Sequence, residues 1–398
     1  MANIGQSLRY LQIEIIITAT LIAMPIMVPF YHSIGMDQGQ IGLSQSVFTA
    51  ALLLINIPTG WIADRFSRKL SNALGDLGCG LALLFYARAS SFGDVVMAEI
   101  VFGVSAAFSQ GADSALLRAY SQVLDSSGSL FLRKSSFIAI GQPIAQVMAL
   151  SIGGFVGSKN PRLAIAISAI PYFVGSLLSL FIIEQGDRLV SHHKNPLRDM
   201  LRVTRQSVGS DPHLKWLIIG YGVGREITHV MVWALTPLLL FAGVPISVVA
   251  AGWVLNSASV VVGAQLAGWY SIRMKEWQRF TLPMLTVLLS LTVMSFHLSL
   301  VTIGLYSLLG LTQGWTAAAL LPMVQNRSPG DNQATVVSIA RSVSQLLYIP
   351  LVWIIGTAGN VDIRYTMIAT VGIFTPMVFI VSRRLYVLES SLYSSPER

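Results

Sequence analysis

The amino-acid sequence predicts an all-α membrane protein, a bundle of twelve transmembrane helices in two six-helix pseudo-repeats. Of the 398 residues, 54% are hydrophobic and only 11% are charged, whereas a soluble globular protein carries about 25% charged residues. The apolar residues form continuous runs of about 20 residues, the length that crosses a bilayer as a helix. They do not alternate with polar residues as the strands of a membrane barrel do. These observations exclude a secreted, nuclear or cytosolic soluble protein.

Twelve apolar runs are long enough to span the membrane, and we assign one helix to each. They cover residues 10–33, 40–63, 70–89, 93–117, 135–157, 162–184, 214–243, 246–270, 280–297, 299–324, 333–357 and 363–384. Most connections are short, but 185–213 is long, polar and basic. The predicted organisation is an N-terminal six-helix bundle, a cytoplasmic linker, a C-terminal six-helix bundle and a cytoplasmic tail, over residues 1–184, 185–213, 214–384 and 385–398.

The basic residues orient the chain in the membrane. With both termini in the cytoplasm, 20 of the 26 Lys and Arg residues fall on the cytoplasmic side and two lie within spans. The four on the outer side are Arg88, Lys159, Arg162 and Arg364. Because basic residues concentrate in cytoplasmic loops, we expect a multi-pass protein of the plasma membrane, such as a bacterial inner membrane, with both termini inside.

The two halves resemble each other at a constant offset of 208 residues. The matching pairs are Pro29 and Pro237, Gly35 and Gly243, Gly60 and Gly268, Trp61 and Trp269, and Arg65 and Arg273. Each residue alone has a local explanation, but five matches in one register favour a duplicated unit. Two repeats of six helices joined by a long loop are typical of secondary transporters, whose substrate sites lie where the repeats meet.

The turn between spans 2 and 3 carries a recognisable motif. It reads PTGWIADRFSRK, from Pro58 to Lys69. This turn resembles motif A of the major facilitator superfamily, G-x-x-x-D-R-x-G-R-K/R, with Ser67 where the family usually has Gly. The residues in register are Gly60, Asp64, Arg65, Arg68 and Lys69. The fold-level resemblance covers essentially the whole chain and implies alternating-access transport.

The resemblance implies that this turn is a gate at the cytoplasmic face. Gly60 would let a neighbouring helix approach closely, and Asp64 can accept from positive partners, including a helix N-terminus. Arg68 can reach an acid on another helix, for which Asp113 is the best candidate. A simple basic anchor is the alternative, but it requires neither the glycine nor the aspartate.

Span 7 places Arg225, Glu226 and His229 close to the bilayer midplane, since Arg225 lies about 17 Å along the helix from Leu214. His229 can meet either of the other two side chains on the helix surface. A carboxylate beside an arginine stays ionised, whereas one in an apolar cavity takes up a proton more readily. A small movement of Arg225 could therefore switch Glu226, which is our first candidate for proton coupling. The alternative is a permanent ion pair that only fixes packing.

Glu99, His229 and Glu14 are the further candidates for proton coupling. Ionisable groups at mid-bilayer depth cost about 2.5–3.5 kcal/mol each and usually face a cavity or a partner. Glu99 lies on the outer half of span 4 and is either a proton site or a carboxylate at the outer rim. Glu14 stands one turn from Thr18 on span 1. Asp76, near the inner end of span 3, is expected to be a structural cap or gate partner.

Other polar residues within the spans are expected to line the substrate cavity. Arg341 could bind an anionic group of the substrate or pair with an acid, and single amides are more often interhelical hydrogen-bond partners than ligand contacts. The full set of candidates is Arg225, Arg341, Tyr221, Gln142, Gln146, Asn256, Gln313 and Gln345. Their chemistry suits an amphipathic organic molecule.

The predicted function is secondary active transport of a small organic molecule, coupled to protons and directed outward. The segment from Gln110 to Tyr120 resembles the end of helix 4 in bacterial exporters, and the cargo could be a drug, a siderophore or another metabolite. A facilitative uniporter or a proton-symport importer is the alternative, with a non-transporting receptor less favoured.

No enzymatic activity, catalytic residue, metal site, cofactor or nucleic-acid partner is predicted. Cys79 is the single cysteine, the six histidines are scattered, and no Walker A pattern occurs. The expected partners are the substrate, protons and the lipid bilayer, and the expected oligomeric state is a monomer.

Overall fold

The computed structural model contains helices and no strand over the residues it describes. The described backbone covers residues 2–65, 67–125, 129–183, 209, 211–299, 304–328 and 333–394. Within it, the side chains at 2–3, 57–58, 60–65, 111, 114–115, 122, 129, 132, 136, 139, 333–334 and 392–394 lie outside the description. The chain groups into two compact units. Unit 1 comprises Met1–Met36, Val47–Pro196 and Ile246–Ala251, and unit 2 comprises Asp37–Ser46, Leu197–Pro245 and Gly252–Arg398.

Eight helices belong mainly to unit 1, although the first turns of α3 lie in unit 2. They are α1 Ala2–Thr18, α2 Met27–Ser33, α3 Gln38–Arg65, α4 Arg68–Arg88, α5 Phe92–Leu124, α6 Ser129–Gly157, α7 Pro161–Ile167 and α8 Ala169–Leu180. Short polar residues start two of them. Ser67 accepts from the N–H of Leu70 at 3.0 Å, and Ser91 with Asp94 forms a capping box on α5, so that N–H groups without an intrahelical partner are satisfied.

Eight further helices belong mainly to unit 2. They are α9 Pro212–His229, α10 Leu235–Phe241, α11 Val249–Tyr270, α12 Glu276–Phe296, α13 Ser307–Trp315, α14 Leu321–Arg327, α15 Gln333–Ala358 and α16 Arg364–Ser394. Asp211 caps α9, with Pro212 at the first helical position, where the missing N–H of proline costs nothing. A single π-helical turn, Thr316–Leu320, joins α13 to α14.

The predicted all-helical fold is confirmed, and each predicted span contains helix over most of its described residues. Eight helical segments in the described residues are long and apolar enough to cross a membrane. Predicted spans 1, 7 and 10 are interrupted helices, and α3 contains side chains that lie outside the description. The count of twelve spans stays a prediction.

The first helix of each predicted repeat breaks in the same way. A 3-10 turn, Met24–Ile26, separates α1 from α2, and Val232–Ala234 separates α9 from α10. The short helix that follows ends at Gly35 in unit 1, with φ 84°, and at Gly243 in unit 2, with φ 81°. Only glycine adopts this left-handed conformation without a Cβ penalty. The break and its terminating glycine recur at the predicted offset of 208 residues.

The same backbone hydrogen bonds close both short helices, each with a length of 3.0 Å. They are Gly35 N–H to His32 C=O and Met36 N–H to Tyr31 C=O, and Gly243 N–H to Leu240 C=O and Val244 N–H to Leu239 C=O. This is the Schellman pattern, in which the glycine and the residue after it satisfy the last helical carbonyls. The pseudo-repeat is therefore expressed in backbone geometry as well as in residue identity.

Side chains satisfy the backbone groups that the breaks release, as the apolar part of a membrane requires. In unit 1, the N–H of Leu21 donates to Gln146 Oε1 at 3.4 Å and the N–H of Ala23 donates to Ser168 Oγ at 2.9 Å. In unit 2, the hydroxyl of Tyr306 donates to the carbonyl of Met231 at 2.6 Å. Gln146, predicted to line a substrate cavity, therefore supports the helix break.

The buried core of unit 1 lies on two sides of its polar centre. One cluster joins α1, α5 and α6 through residues such as Leu11, Leu116 and Ile138. A second joins α3, α4 and α5 through Leu52 and Cys79, with the neighbouring alanines of α5.

Candidate functional site

A cavity of about 290 Å³ lies inside unit 1. Helices α1, α3, α4, α5, α6 and α8 contribute to its wall. The sequence placed polar residues on several of these helices but did not group them. In the structure α4 packs against α5 and α8, while α1 packs against α5, α6 and α8. Their polar side chains therefore converge on one space.

Asp76 and Asp113 line this cavity, and a third carboxyl group, Glu14, lies beside them. Glu14 on α1 is within hydrogen-bonding reach of Asp76 on α4 and of Asp113 on α5. Glu14 and Asp76 are fully buried. One oxygen of each acid, Glu14 Oε2, Asp76 Oδ2 and Asp113 Oδ1, is buried without a hydrogen-bond partner. Among the described residues, no basic side chain forms an ion pair with any of the three.

We call Glu14, Asp76 and Asp113 the acid cluster. Neutral polar groups surround it. The hydroxyl of Thr18 donates to the carbonyl of Glu14 at 2.9 Å and lies 3.3 Å from Glu14 Oε1. Asn72, fully buried, lies beside Glu14 and Asp113. Its Nδ2 donates to Ser179 Oγ at 3.1 Å, while its Oδ1 has no partner.

Aromatic rings form another part of the cavity wall. Phe102 lies 5.8 Å from Phe48 between ring centroids, and it meets Tyr172 edge to face at 5.7 Å. Such pairs restrain each other's orientation. Gln142 also lines the cavity, and its Nε2 donates to the carbonyl of Ile15 at 3.2 Å. The wall thus combines acids, amides and aromatic rings.

A second polar group lies in unit 2 and is organised around Glu226. This residue is 1% exposed, and both of its carboxylate oxygens are occupied. Oε1 accepts from Ser344 and lies 3.5 Å from Nε of Arg225, while Oε2 lies 3.0 Å from Nδ1 of His229. The Arg225 and His229 side chains are 39% and 37% exposed. Glu226 is therefore a buried anion held by neighbours that reach the surface of the unit.

Aromatic hydroxyls extend this group. His229 stacks on Tyr348 with ring centroids 4.4 Å apart and an interplanar angle of 24°, and the indole N–H of Trp233 donates to the Tyr348 hydroxyl at 3.1 Å. Arg225 lies 3.4 Å from the hydroxyl of Tyr221. The structure therefore brings together the predicted residues of span 7, with Ser344 and Tyr348 of α15 as their partners.

The remaining predicted cavity residues have separate surroundings. Arg341 is exposed and Gln345 is half-buried on α15. Asn256 on α11 and Gln313 on α13 are half-buried, and Oδ1 of Asn256 has no hydrogen-bond partner. All four residues belong to unit 2.

Glu99 is almost fully buried, at 3% exposure. It forms a hydrogen bond with Tyr86, which in turn bonds to Tyr31. The sequence left two interpretations of Glu99, a proton site or a carboxylate at the outer rim. A carboxylate exposed at the rim does not agree with this burial. Glu99 instead belongs to a tyrosine-lined site in unit 1.

The predicted gate motif is described in part. Helix α3 ends at Arg65 and α4 begins at Arg68, so the motif covers the end of one helix and the start of the next. The side chains of Gly60, Asp64 and Arg65 lie outside the described residues, while those of Arg68 and Lys69 are half-buried. Asp113, expected to face Arg68, instead contacts Glu14 within the acid cluster.

Sequence reasoning missed the role of Asn72 and expected Asp76 to be a structural cap. A usable signal was present, because Asn72 and Asp76 stand four residues apart and therefore on one face of α4. No such sequence signal pointed to Tyr172, Phe48 and Phe102 as part of the cavity wall. Aromatic residues are common in apolar spans, and only the packing of α8 and α5 brings these rings to the cavity.

The family assignment rests on the whole chain. A profile of the Major Facilitator Superfamily matches residues 13–350, and the chain belongs to this family. It is a multi-pass membrane transporter of small molecules and not an enzyme, as the sequence predicted. No protein of curated function matches the sequence.

Solved structures of known transporters share the fold. A point mutant of the nucleoside transporter NupG superimposes with a TM-score of 0.79 at 12% identity, covering 96% of this chain and 99% of that one. A bacterial homolog of the human lysosomal transporter Spinster, inward-facing and occupied, gives 0.75 at 14% identity, covering 96% and 95%. A D-xylose–proton symporter gives 0.75 at 10% identity, covering 95% and 97%. At these identities the likeness shows the fold alone.

Proposed function

We propose that this transporter exchanges a small organic molecule for protons, and that the acid cluster of unit 1 is its proton-binding site. The exchange moves cargo outward across a plasma membrane, with both termini of the chain in the cytoplasm and the protein acting as a monomer. One observation carries the proposal. Buried Glu14 and Asp76 meet half-buried Asp113 without a basic partner among the described residues, and the two aspartates line a cavity.

The physical argument is the cost of charge. An isolated carboxylate in an apolar interior is highly unfavourable, and two facing carboxylates disfavour each other's ionisation. A proton shared between Glu14 and either aspartate lowers both costs, since it neutralises one carboxylate and one acid then donates to the other. Because the acids border a cavity, the proton has a route to water when the cavity opens. Release and uptake of this proton are the coupling step.

Within the part of the chain that the structure describes, the other titratable groups that face the cluster do not supply a compensating charge. Cys79 on α4 and Tyr172 on α8 line the cavity, and both residue types are neutral at pH 7 in water. Lys134 on α6 reaches α1, but its Nζ donates to Gln12 Oε1 at 3.0 Å. The cluster therefore balances its charge with protons or with a ligand.

Glu226 has the opposite surroundings, and we assign it a positioning role. Arg225, His229 and Ser344 occupy both of its oxygens, so that its negative charge is stabilised in place. The proposal thus makes Glu14 the first proton carrier among the predicted candidates. Glu226 and His229 come after Glu14 as proton-carrier candidates, and their contacts with Ser344 and Tyr348 hold α9 against α15.

The first test detects the proton itself. Infrared spectra of the purified protein at pH 7 report the C=O stretch of protonated carboxylic acids, which shifts on transfer to D₂O. We expect such a band in the wild type and its loss or shift in Glu14→Gln, Asp76→Asn and Asp113→Asn. Asp362→Asn is the matched control, because Asp362 pairs with Arg364 outside this cavity. A wild-type spectrum without the band would refute the proton site.

The second test measures coupling. A thermal-shift panel of cationic, neutral and anionic solutes identifies a ligand, because binding stabilises the folded state. Accumulation of that solute in proteoliposomes is then compared with and without an imposed pH gradient. A uniporter is indifferent to the gradient, and an importing symporter moves solute and protons in the same direction. Opposite movement of the two supports the exchange that we propose.

A further inference from the structure

We infer that the cavity of unit 1 binds an organic cation through its N–H groups, as a protonated primary or secondary amine does. The inference deepens the proposed function, on which it rests for the exchange of this cargo against protons. It concerns the chemical class of the substrate, which the family and the solved relatives leave open.

The buried atoms of the acid cluster and of the neighbouring Asn72 that have no partner are all oxygens that can accept a hydrogen bond. They are Glu14 Oε2, Asp76 Oδ2, Asp113 Oδ1 and Asn72 Oδ1. Asn72 and Asp76 are fully buried, so water outside the protein does not satisfy them. Buried polar groups in native proteins almost always have partners. A complementary ligand must therefore bring donors, and it needs more than one.

Charge selects among the possible donors. Carboxyl groups that meet without a paired basic residue disfavour an anion and favour a cation. Sugars and alcohols bring O–H donors but no charge. A metal ion brings charge, but the described residues contain no group of His, Cys, Asp and Glu arranged to hold one. A protonated amine supplies positive charge and two or three N–H donors together.

The rest of the wall suits the organic part of such a molecule. Phe48, Phe102 and Tyr172 present aromatic surface, which attracts cations as well as apolar groups. A cavity of about 290 Å³ stands at the lower limit of ligand pockets, which run from about 300 to 1,000 Å³. The cargo is thus a small amine with one apolar or aromatic group.

The exchange follows from competition for the same oxygens. When the ammonium group binds, its N–H groups donate to carboxylate oxygens and the proton shared by the cluster leaves to water in the cavity. One positive charge enters and one leaves, so that the charge of the site is unchanged. When the cargo departs, a proton returns. Binding of amine and proton is therefore mutually exclusive, which is the condition for antiport.

Two isomeric probes test the N–H requirement. N-isopropyl-2-phenylethylammonium and trimethyl(2-phenylethyl)ammonium have the same formula and the same charge, but only the first has N–H donors. Isopropyl 2-phenylethyl ether is the uncharged analogue. We measure binding to the purified full-length protein by titration calorimetry at pH 7, in two buffers of different ionisation enthalpy, which reports the protons released.

We expect the secondary ammonium to bind at least about tenfold more tightly than its quaternary isomer, since hydrogen bonds to charged groups are the strong ones. The ether should not bind measurably. Binding should release close to one proton and should weaken by about tenfold or more in Asp76→Asn and in Asp113→Asn. Asp362→Asn, an acid outside the cavity, should bind as the wild type does.

The outcomes separate the inference from the proposed function. Equal affinity for the two isomers, or unchanged binding in both aspartate variants, overturns the inference. No binding of the secondary ammonium, together with a protonated-carboxyl band in the infrared spectrum, overturns the inference and leaves the proton site intact. Amine binding without proton release, and without that band, supports the cation site and overturns the proposed proton exchange. If one aspartate variant does not fold, the other decides.

Discussion

Gly175 on α8 should be irreplaceable even by alanine, because it stands against the acid cluster. A Cβ at this position would lie 2.5 Å from Thr18 Cγ2 and 2.8 Å from Asp76 Oδ2. Comfortable contacts between heavy atoms are about 3.5–4.0 Å. The Gly175→Ala substitution therefore requires both side chains to retreat by about 1 Å, which changes the contact of Asp76 with Glu14.

The change in unfolding free energy caused by Gly175→Ala combines two opposing contributions. Overpacking of a well-packed site costs about 1–3 kcal/mol, whereas alanine in a helix is favoured over glycine by about 1 kcal/mol. Gly268→Ala on α11 is the matched control, because a Cβ there meets nothing within 4 Å. The difference in unfolding free energy between the two variants isolates the overpacking, and we expect about 1–3 kcal/mol.

The measurement is unfolding of each variant in detergent micelles, together with the infrared carboxyl band of the folded protein. Gly175→Ala should lower stability relative to Gly268→Ala and should shift the band. Adding Thr18→Ser, which removes Cγ2, should recover stability but not the band, since Asp76 stays crowded. Equal stability of the two alanine variants, with an unshifted band, would refute the packing that we describe around the cluster.

Three further predictions concern other parts of the fold. Gly35→Ala and Gly243→Ala should each destabilise the protein by about 1–2 kcal/mol, because their φ angles are 84° and 81°; equal unfolding midpoints for wild type and variants would contradict this. Glu226→Gln should retain the infrared carboxyl band and proton exchange while lowering thermal stability, and loss of exchange in a folded variant would return Glu226 to the coupling step. Partial burial opposes ionisation of Asp211, but hydrogen bonds from Arg327 and from backbone N–H groups lower its pKa. The folded-state pKa of Asp211 lies below the unfolded value of about 3.9. The ionised Asp211 therefore stabilises the folded protein above about pH 4, and this stabilisation is lost as the pH falls through the folded-state pKa. Arg327→Gln should remove the contribution of Asp211 to the acid dependence of the unfolding free energy.

The helical fold was predictable because its signals are local. A continuous apolar run must become a helix in a bilayer, since no other structure of one segment satisfies its own backbone there. The helix breaks were less visible. Pro29 and Gly35 were recognised through their partners at an offset of 208 residues, but the 3-10 turn at Met24–Ile26 depends on acceptors such as Gln146 and Ser168 on other helices.

The candidate site was predictable as a set of residues and not as a grouping. His229 stands three residues after Glu226 on one helix, and their contact followed from helical spacing, whereas the 3.5 Å approach of Arg225 to Glu226 did not. Glu14, Asp76 and Asp113 lie on three helices, and no spacing rule relates them. Asp113 was consequently assigned to Arg68, and Asp76 to a role as a structural cap or gate partner.

The sequence by itself determined the membrane location, the helical fold, the pseudo-repeat and the transporter family, because composition, apolar length and short motifs act within a few turns of chain. Only the tertiary structure decided which acids share a cavity and which have a cation beside them. That distinction depends on distances between side chains far apart in the sequence, and electrostatic energy in an apolar interior changes steeply with such distances. The packing of α1, α4 and α5 thus leaves an oxygen of each of three acids without a partner, while α9 and α15 surround Glu226 with Arg225, His229 and Ser344.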